Sequence, residues 1–440
     1  MYLKNSVSLA KVRQFITTIF LGPITYGASL SWTAPVLPQL LNQNSTLPFT
    51  LTVAEGSWVG SMLAIGVLCT ATTSGYLADR FGLKKCIAAL AIPNVIFALI
   101  VYFSKDVYSL CVARFFSGMA VGGIGVFSPM YIGDMSDASI RGIIGSFFEF
   151  LVFVGVMLIS ICGAYLNYIT LTVILGTFSL ILGIGFLFLP ESPTYLMKIG
   201  RKDLAFLALK YYRCDDYNVS HDIEIISNRL QTKQREKKIN IKDALSSKPV
   251  VRGLIASIGL TAFQQFCGVN AIVFYTVQIF EEVHTDINAY TSAIILSVVQ
   301  LLASILMIFI MEKAPRPVGI YFTLTSKGIY FNGISYIPLV SLNLYAVSFA
   351  IALGPFAWLI SGELFSPEVK GVAVGITVSL NWIFLFIVTK MFPIALKEVS
   401  PDFPFYFCAF CMVLCLIFTK FWIPETRGKT LDQIQKELNM

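Results

Sequence analysis

The chain has 440 residues, 56% of them hydrophobic and only 13% charged, with a net charge of +7 at neutral pH. Soluble domains carry about 25% charged residues, so the composition excludes an ordinary soluble domain and points to a polytopic membrane protein. Nine cysteines and two histidines spell neither a disulfide framework nor a metal set, and no basic patch interleaved with aromatics suggests a nucleic-acid partner.

A hydrocarbon core needs about 20 apolar residues per helix. Candidate spans run roughly over 14–38, 55–78, 86–104, 109–133, 142–164 and 169–189, then 250–276, 289–311, 336–361, 370–392 and 402–423. These divide the chain into an N-terminal helix bundle over 1–192, a polar helical linker over 193–249 and a C-terminal bundle over 250–440.

Positive charge is unevenly placed. Lys4, Lys11 and Arg13 precede the first span, Arg80, Lys84 and Lys85 fill the second connection, and the linker is dense in Lys and Arg. By the positive-inside rule both termini and the linker are cytoplasmic. Asn44, in the sequon Asn44-Ser45-Thr46, then falls outside and is the expected glycosylation site. Within the linker, "RKDLAFLALKYYR" places Leu204, Leu207 and Ala208 on one apolar face.

The stretch "QQFCGVNAIVFY", residues 264 to 275, sets Gln264, Gln265 and Asn270 inside an apolar run. Side-chain amides there are costly unless hydrogen-bonded. On an ideal helix Gln265 and Asn270 point about 140° apart. They face one cavity only if the helix bends or unwinds near Gly268, as discontinuous transporter helices do. The competing reading is that the amides join neighbouring helices.

Motifs recur between the halves. "LPESP" ends the sixth span and "IPETRGKT" the last; "YIGDMSDASIRG" closes the fourth and "SGELFSPEVKG" the tenth; "GYLADRFGLKK" has a worn copy in "MEKAPRPVG". Acid-to-base pairs at equivalent places signal an internal duplication.

With these motifs, and "WTAPVLPQL", "ARFFSGMAVGG", "GPFAW" and the pair Asn381-Trp382, the whole chain resembles the sugar porter family of the major facilitator superfamily. Within it the resemblance is to facilitated trehalose and glucose transporters. It implies an all-α major facilitator fold of two pseudo-symmetric six-helix bundles, working as a monomer in the plasma membrane, with no cofactor and no covalent chemistry. Carried over by position, Gln264, Gln265, Asn270, Gln300, Trp358 and Asn381 are substrate-binding residues. Glu149 stands where the family has a sugar-contacting Gln. Phe274 and Tyr275 match the outer gate. Asp79, Arg80, Arg114, Asp134, Arg141, Glu191, Glu363, Lys370 and Glu425 match an inner salt-bridge network. That network is thinned, since Thr194 replaces an Arg and Lys370 loses the bidentate geometry of one.

Amides suit a sugar because each hydroxyl both donates and accepts, and amides answer both without charge. The implied function is therefore facilitative sugar transport by alternating access. Ala28 occupies the position of the acidic residue in proton-coupled members, which favours downhill movement. The alternatives are a proton symporter using Glu149, and a transport-impaired sugar sensor or truncated isoform.

One departure concerns the ninth span. Between Arg316 and Ile337 the family fits a full helix and an outer loop. From Pro317 to Ser326 a helix would span about 15 Å, roughly half of a 30 Å hydrocarbon core. The ninth helix is expected to be markedly shortened.

Overall fold

A computed structural model of the chain describes residues 2–42, 50–137, 140–213, 219–236, 247–282, 287–310, 337–351, 353–354, 357–358, 360, 364–365, 367–400 and 402–423. Among the described residues the chain is almost wholly α-helical. In the first half lie α1 (Tyr2–Phe20), α2 (Pro23–Ser31), α3 (Thr33–Leu41), α4 (Val53–Phe81), α5 (Leu83–Ala89), α6 (Ala91–Phe103), α7 (Val107–Met135), α8 (Arg141–Tyr165) and α9 (Tyr168–Phe186). There follow α10 (Pro193–Lys198), α11 (Lys202–Tyr212) and α12 (Val219–Glu236). The second half has α13 (Lys248–Phe266), α14 (Val269–Glu282), α15 (Ala289–Ile310), α16 (Ile337–Ile351), α17 (Pro367–Glu398) and α18 (Phe403–Trp422).

Eight helical segments among the described residues are long and apolar enough to cross a membrane, and Ala289–Ile305 and Leu339–Phe349 are shorter apolar stretches. The expected spans fall on these segments, with one correction. The first, expected as one run over 14–38, is three helices interrupted at Leu21-Gly22 and at Trp32. Gly22 takes a φ of +85°, which ends α1 in a conformation that costs other residues a Cβ clash. Residues 311–336 lie outside the described residues, and the shortened ninth helix with them.

The chain divides into two compact units. One comprises Met1–Leu30, Gly66–Ile159 and Leu166–Lys238; the other comprises Ser31–Ile65, Ser160–Tyr165 and Ile239–Met440. In the first unit, α2 and α8 meet backbone to backbone. A Cβ at Gly27 would lie 1.9 Å from the Val152 carbonyl oxygen, and one at Gly155 would lie 2.1 Å from that of Ile24. Small residues permit such contact between apolar helices, where packing replaces the hydrophobic drive that lipid does not supply.

The polar helices α10 to α12 belong to this unit. Their buried face corrects the expected one: Leu204 and Leu207 are exposed, while Ala205, Ala208, Leu209 and Tyr212 are buried. The alanines let α11 approach Leu196 and Met197 closely, where a leucine would hold the helices apart. The end of α11 is tied to the membrane helices. Gln14 Nε2 donates to the Tyr212 carbonyl at 2.8 Å and Arg13 Nη1 to that of Tyr211 at 3.1 Å. The Tyr212 and Tyr131 hydroxyls lie 3.0 Å apart, and Tyr131 donates to the Pro190 carbonyl at 2.6 Å. Burial pushes the Tyr212 hydroxyl up to about 12, so it stays protonated and able to donate.

In the second unit α3 packs on α14, and α13 on α17. A cluster of Cys267, Cys415, Met412, Val269 and Leu353 fills the space beside α18, where the cysteines act as small apolar side chains.

Candidate functional site

The helix carrying the amides is broken where the residue pattern predicts. α13 ends at Phe266, Gly268 has a φ of +89°, and α14 begins at Val269. The break leaves few orphaned groups. The Cys267 N–H donates to Phe263 O at 2.9 Å, the Gly268 N–H to Gln265 O at 3.0 Å, and Tyr345 caps the Cys267 carbonyl at 3.0 Å. Glycine is required at the hinge by its positive φ, and a Cβ would also sit 2.6 Å from Cys408 Sγ.

The break swings Asn270 back toward Gln265, against the 140° divergence of a straight helix, and four amides join head to tail. Asn270 Nδ2 donates to Gln265 Oε1 at 2.7 Å, and Gln265 Nε2 to Asn381 Oδ1 at 3.1 Å. Asn381 Nδ2 donates to Gln264 Oε1 at 3.2 Å, and Gln264 Nε2 to the Gly354 carbonyl at 2.9 Å. Gln264, Gln265 and Asn381 are no more than 5% exposed, while Asn270 is half-buried. Buried amides so paired are stable in an apolar setting. The two readings of these amides are thus compatible: they join helices and also form a polar centre.

Tyr275, next along α14, leaves helical geometry at φ −124°, ψ 21°. Its hydroxyl donates to the Thr389 carbonyl at 2.6 Å and its ring stacks on Phe392 at 6.3 Å between centroids. Phe274 is fully buried beside it. Gln300 on α15 is buried, whereas Trp358 is 42% exposed. Glu149 lies in the first unit, on α8, within electrostatic reach of Tyr26.

Several charges assigned to the inner network have partners among the described residues. Asp79 pairs with Lys198 at 2.7 Å. Arg80 donates to the Tyr76 hydroxyl and lies over the Phe81 ring. Asp134 accepts from the hydroxyls of Ser192 and Thr194, so Thr194 serves a carboxylate although it is no cation. Glu191 Oε1 accepts the Lys84 N–H at 2.9 Å, in the first turn of α5, and the Ser192 N–H at 2.8 Å. Arg141 donates to Ser136. Lys370 is exposed on α17, and Glu363, Glu425 and Asn44 lie outside the described residues.

Arg114 is a correction. It sits two turns into α7, fully buried, with Nη1 on the Ser29 carbonyl at 2.9 Å. Asp134 is at the far end of the same helix, about 30 Å away at 1.5 Å per residue, so one cytoplasmic cluster cannot hold both. The sequence reading also missed Arg213. Its Nε lies 2.8 Å from Asp137 and 3.1 Å from Asp222, and its Nη1 donates to the Met135 carbonyl at 2.6 Å. Its only signal was a place among many linker cations.

A family model described as "Sugar (and other) transporter" matches residues 39–438. The chain belongs to the sugar transporter family. Among curated proteins, this transporter is 29% identical to the facilitated trehalose transporter Tret1 of Culex quinquefasciatus, over 96% of this chain and 84% of that protein. It is 28% identical to Tret1 of Aedes aegypti, again over 96% of this chain but only 54% of the relative, so it spans about half the length of some relatives. Its fold is that of the xylose transporter XylE from E. coli. The inward open structure matches with a TM-score of 0.77 at 21% identity, over 97% of this chain and 99% of that one. The partially occluded inward open structure matches at 0.76 and 20%, over 93% and 99%. Its relatives are transporters, not enzymes, and it is a multi-pass membrane protein of the major facilitator fold.

Proposed function

We propose that this transporter carries a sugar, trehalose or a hexose, down its gradient across the plasma membrane by alternating access. The observation that carries the reading is the chain of four amides at a broken helix. It offers donors and acceptors without charge, which is what a polyhydroxylated, neutral solute needs. The curated relatives named as facilitated trehalose transporters support the same class.

In this reading Gln264, Gln265, Asn270 and Asn381 meet sugar hydroxyls, with Gln300 and Glu149 as further polar partners. The half-exposed Trp358 offers an apolar face to the ring. Phe274 and Tyr275 form the outer gate, both buried here, with Tyr275 held against α17. Both termini face the cytoplasm, Asn44 is glycosylated, and the transporter acts as a monomer. Proton symport through Glu149 is the less favoured reading.

Uptake of radiolabelled trehalose and glucose into vesicles, with and without a proton gradient, is the test. Saturable uptake that equilibrates without accumulating is expected. Gradient-driven accumulation would establish symport, and binding without uptake would establish a sensor.

A further inference from the structure

We propose that Lys390 is a latch on the transport path. Its ammonium, clamped on the first two turns of α4, holds shut the end of the path at which α4 begins. That end faces outside in the orientation proposed above, and the inference rests on the alternating-access reading.

Lys390 stands in the apolar run of α17, where a charged side chain is costly unless polar partners hold it. Its Nζ donates to Ser57 Oγ at 2.8 Å and to the Ala54 carbonyl at 3.3 Å. The same atom lies 4.0 Å from the centre of the Trp58 ring, whose negative face attracts a cation. The Ser57 hydroxyl donates to the Ala54 carbonyl at 2.6 Å, which leaves its lone pairs to accept from Lys390. Phe386, one turn earlier on the same face of α17, meets Trp58 at 6.1 Å between ring centroids. Two side chains of α17 thus grip one ring of α4.

The contact is built to release. A cation at a helix N-terminus is opposed by the aligned peptide dipoles. The Glu55 carboxylate, which accepts the Thr52 N–H at 2.8 Å, offsets part of that opposition. Trp58 is half-exposed, so a freed ammonium is rehydrated as it leaves. α4 is itself divided: residues 53–65 group with α17 in one compact unit, and Gly66 onward with the other. The two helices come from opposite halves of the chain, so this end opens only when Lys390 parts from α4. Removing the ammonium shifts the population toward the state open there. Sugar from outside binds only that fraction, so the apparent KM for entry falls as the fraction grows.

The test deletes the charge with Lys390→Met, which keeps an unbranched side chain over the ring. Ser61, buried one turn beyond Ser57 on the same face of α4, reports the opening. In Ser61→Cys a membrane-impermeant maleimide added outside should react slowly. Adding Lys390→Met or Trp58→Leu should speed the reaction several-fold, and adding Lys390→Arg should not. Unchanged rates in the first two would overturn the latch, and equal rates for the Arg and Met variants would mean that charge is not what closes it. Equal speeding at Cys415, buried on α18, would mark general loosening and would also overturn it. With D-glucose as the probe, the entry KM of Lys390→Met should fall several-fold; a KM that stays or rises counts against the latch. Faster reaction at position 61 with no uptake of glucose or trehalose by the unaltered transporter would refute the sugar-transport reading and leave the latch standing.

Discussion

Tyr275 and Gly60 are fitted to each other: a Cβ on Gly60 would fall 2.4 Å from the Tyr275 hydroxyl oxygen and 3.2 Å from the carbon that bears it. The same hydroxyl reaches the Thr389 carbonyl, so α4, α14 and α17 meet at one oxygen atom. Gly60→Ala should therefore lower the melting temperature in detergent, and Tyr275→Phe should cost about 0.5–1.5 kcal/mol for the lost hydrogen bond. In the double variant the alanine methyl no longer meets that oxygen, so its cost should shrink. Full additivity would show that the contact is not what couples these residues.

Replacing Gln265 or Asn270 with leucine should weaken saturable sugar uptake roughly two- to tenfold or more while leaving expression largely intact. Each removed hydrogen bond to the substrate should cost about 0.5–1.5 kcal/mol or more, because a hydroxyl is left unpaired. Wild-type affinity in both variants would place the site elsewhere.

Glu149→Gln should retain uptake and flatten its pH dependence. A neutral Glu149 offers a sugar the same donor and acceptor as glutamine, so the amide replaces it without loss. If that variant instead loses accumulation driven by a proton gradient, Glu149 carries the proton and transport is coupled.

Arg213 joins α11 to the loop after α7 and to α12. Its removal leaves Asp137 and Asp222 without their shared cation, a loss of roughly 3–5 kcal/mol for a buried pair. Arg213→Ala should sharply lower the melting temperature. Arg213→Lys should recover part of it, since an ammonium cannot hold both carboxylates and the Met135 carbonyl with a planar fork. Equal melting of the alanine and lysine variants would mean that the fork geometry contributes nothing.

Asn44→Gln should increase gel mobility when the protein is made in a secretory-pathway cell. Unchanged mobility would exclude glycosylation there, and protease access to the C-terminus from outside would reverse the orientation.

Hydropathy alone located the apolar spans, because the bilayer demands about 20 apolar residues per helix wherever a chain crosses it. The amide cluster was also legible, since polar side chains in such a run need partners, and the glycine at 268 marked the one place where a helix could turn Asn270 back to Gln265. What tertiary structure decided was which groups meet across helices. Asn381 lies more than a hundred residues from Gln265, and the Gly354 carbonyl that ends the chain is a backbone atom of a kind present at every position. Thr194, a loss on paper, donates to Asp134 because α10 brings Ser192 and Thr194 to it. Arg114 left its expected network, and Arg213, given no role beforehand, took up two carboxylates, for the same reason. Charge type and spacing along one chain say nothing about depth in a bundle, and depth decides whether a guanidinium meets carboxylates at a helix end or a backbone carbonyl inside.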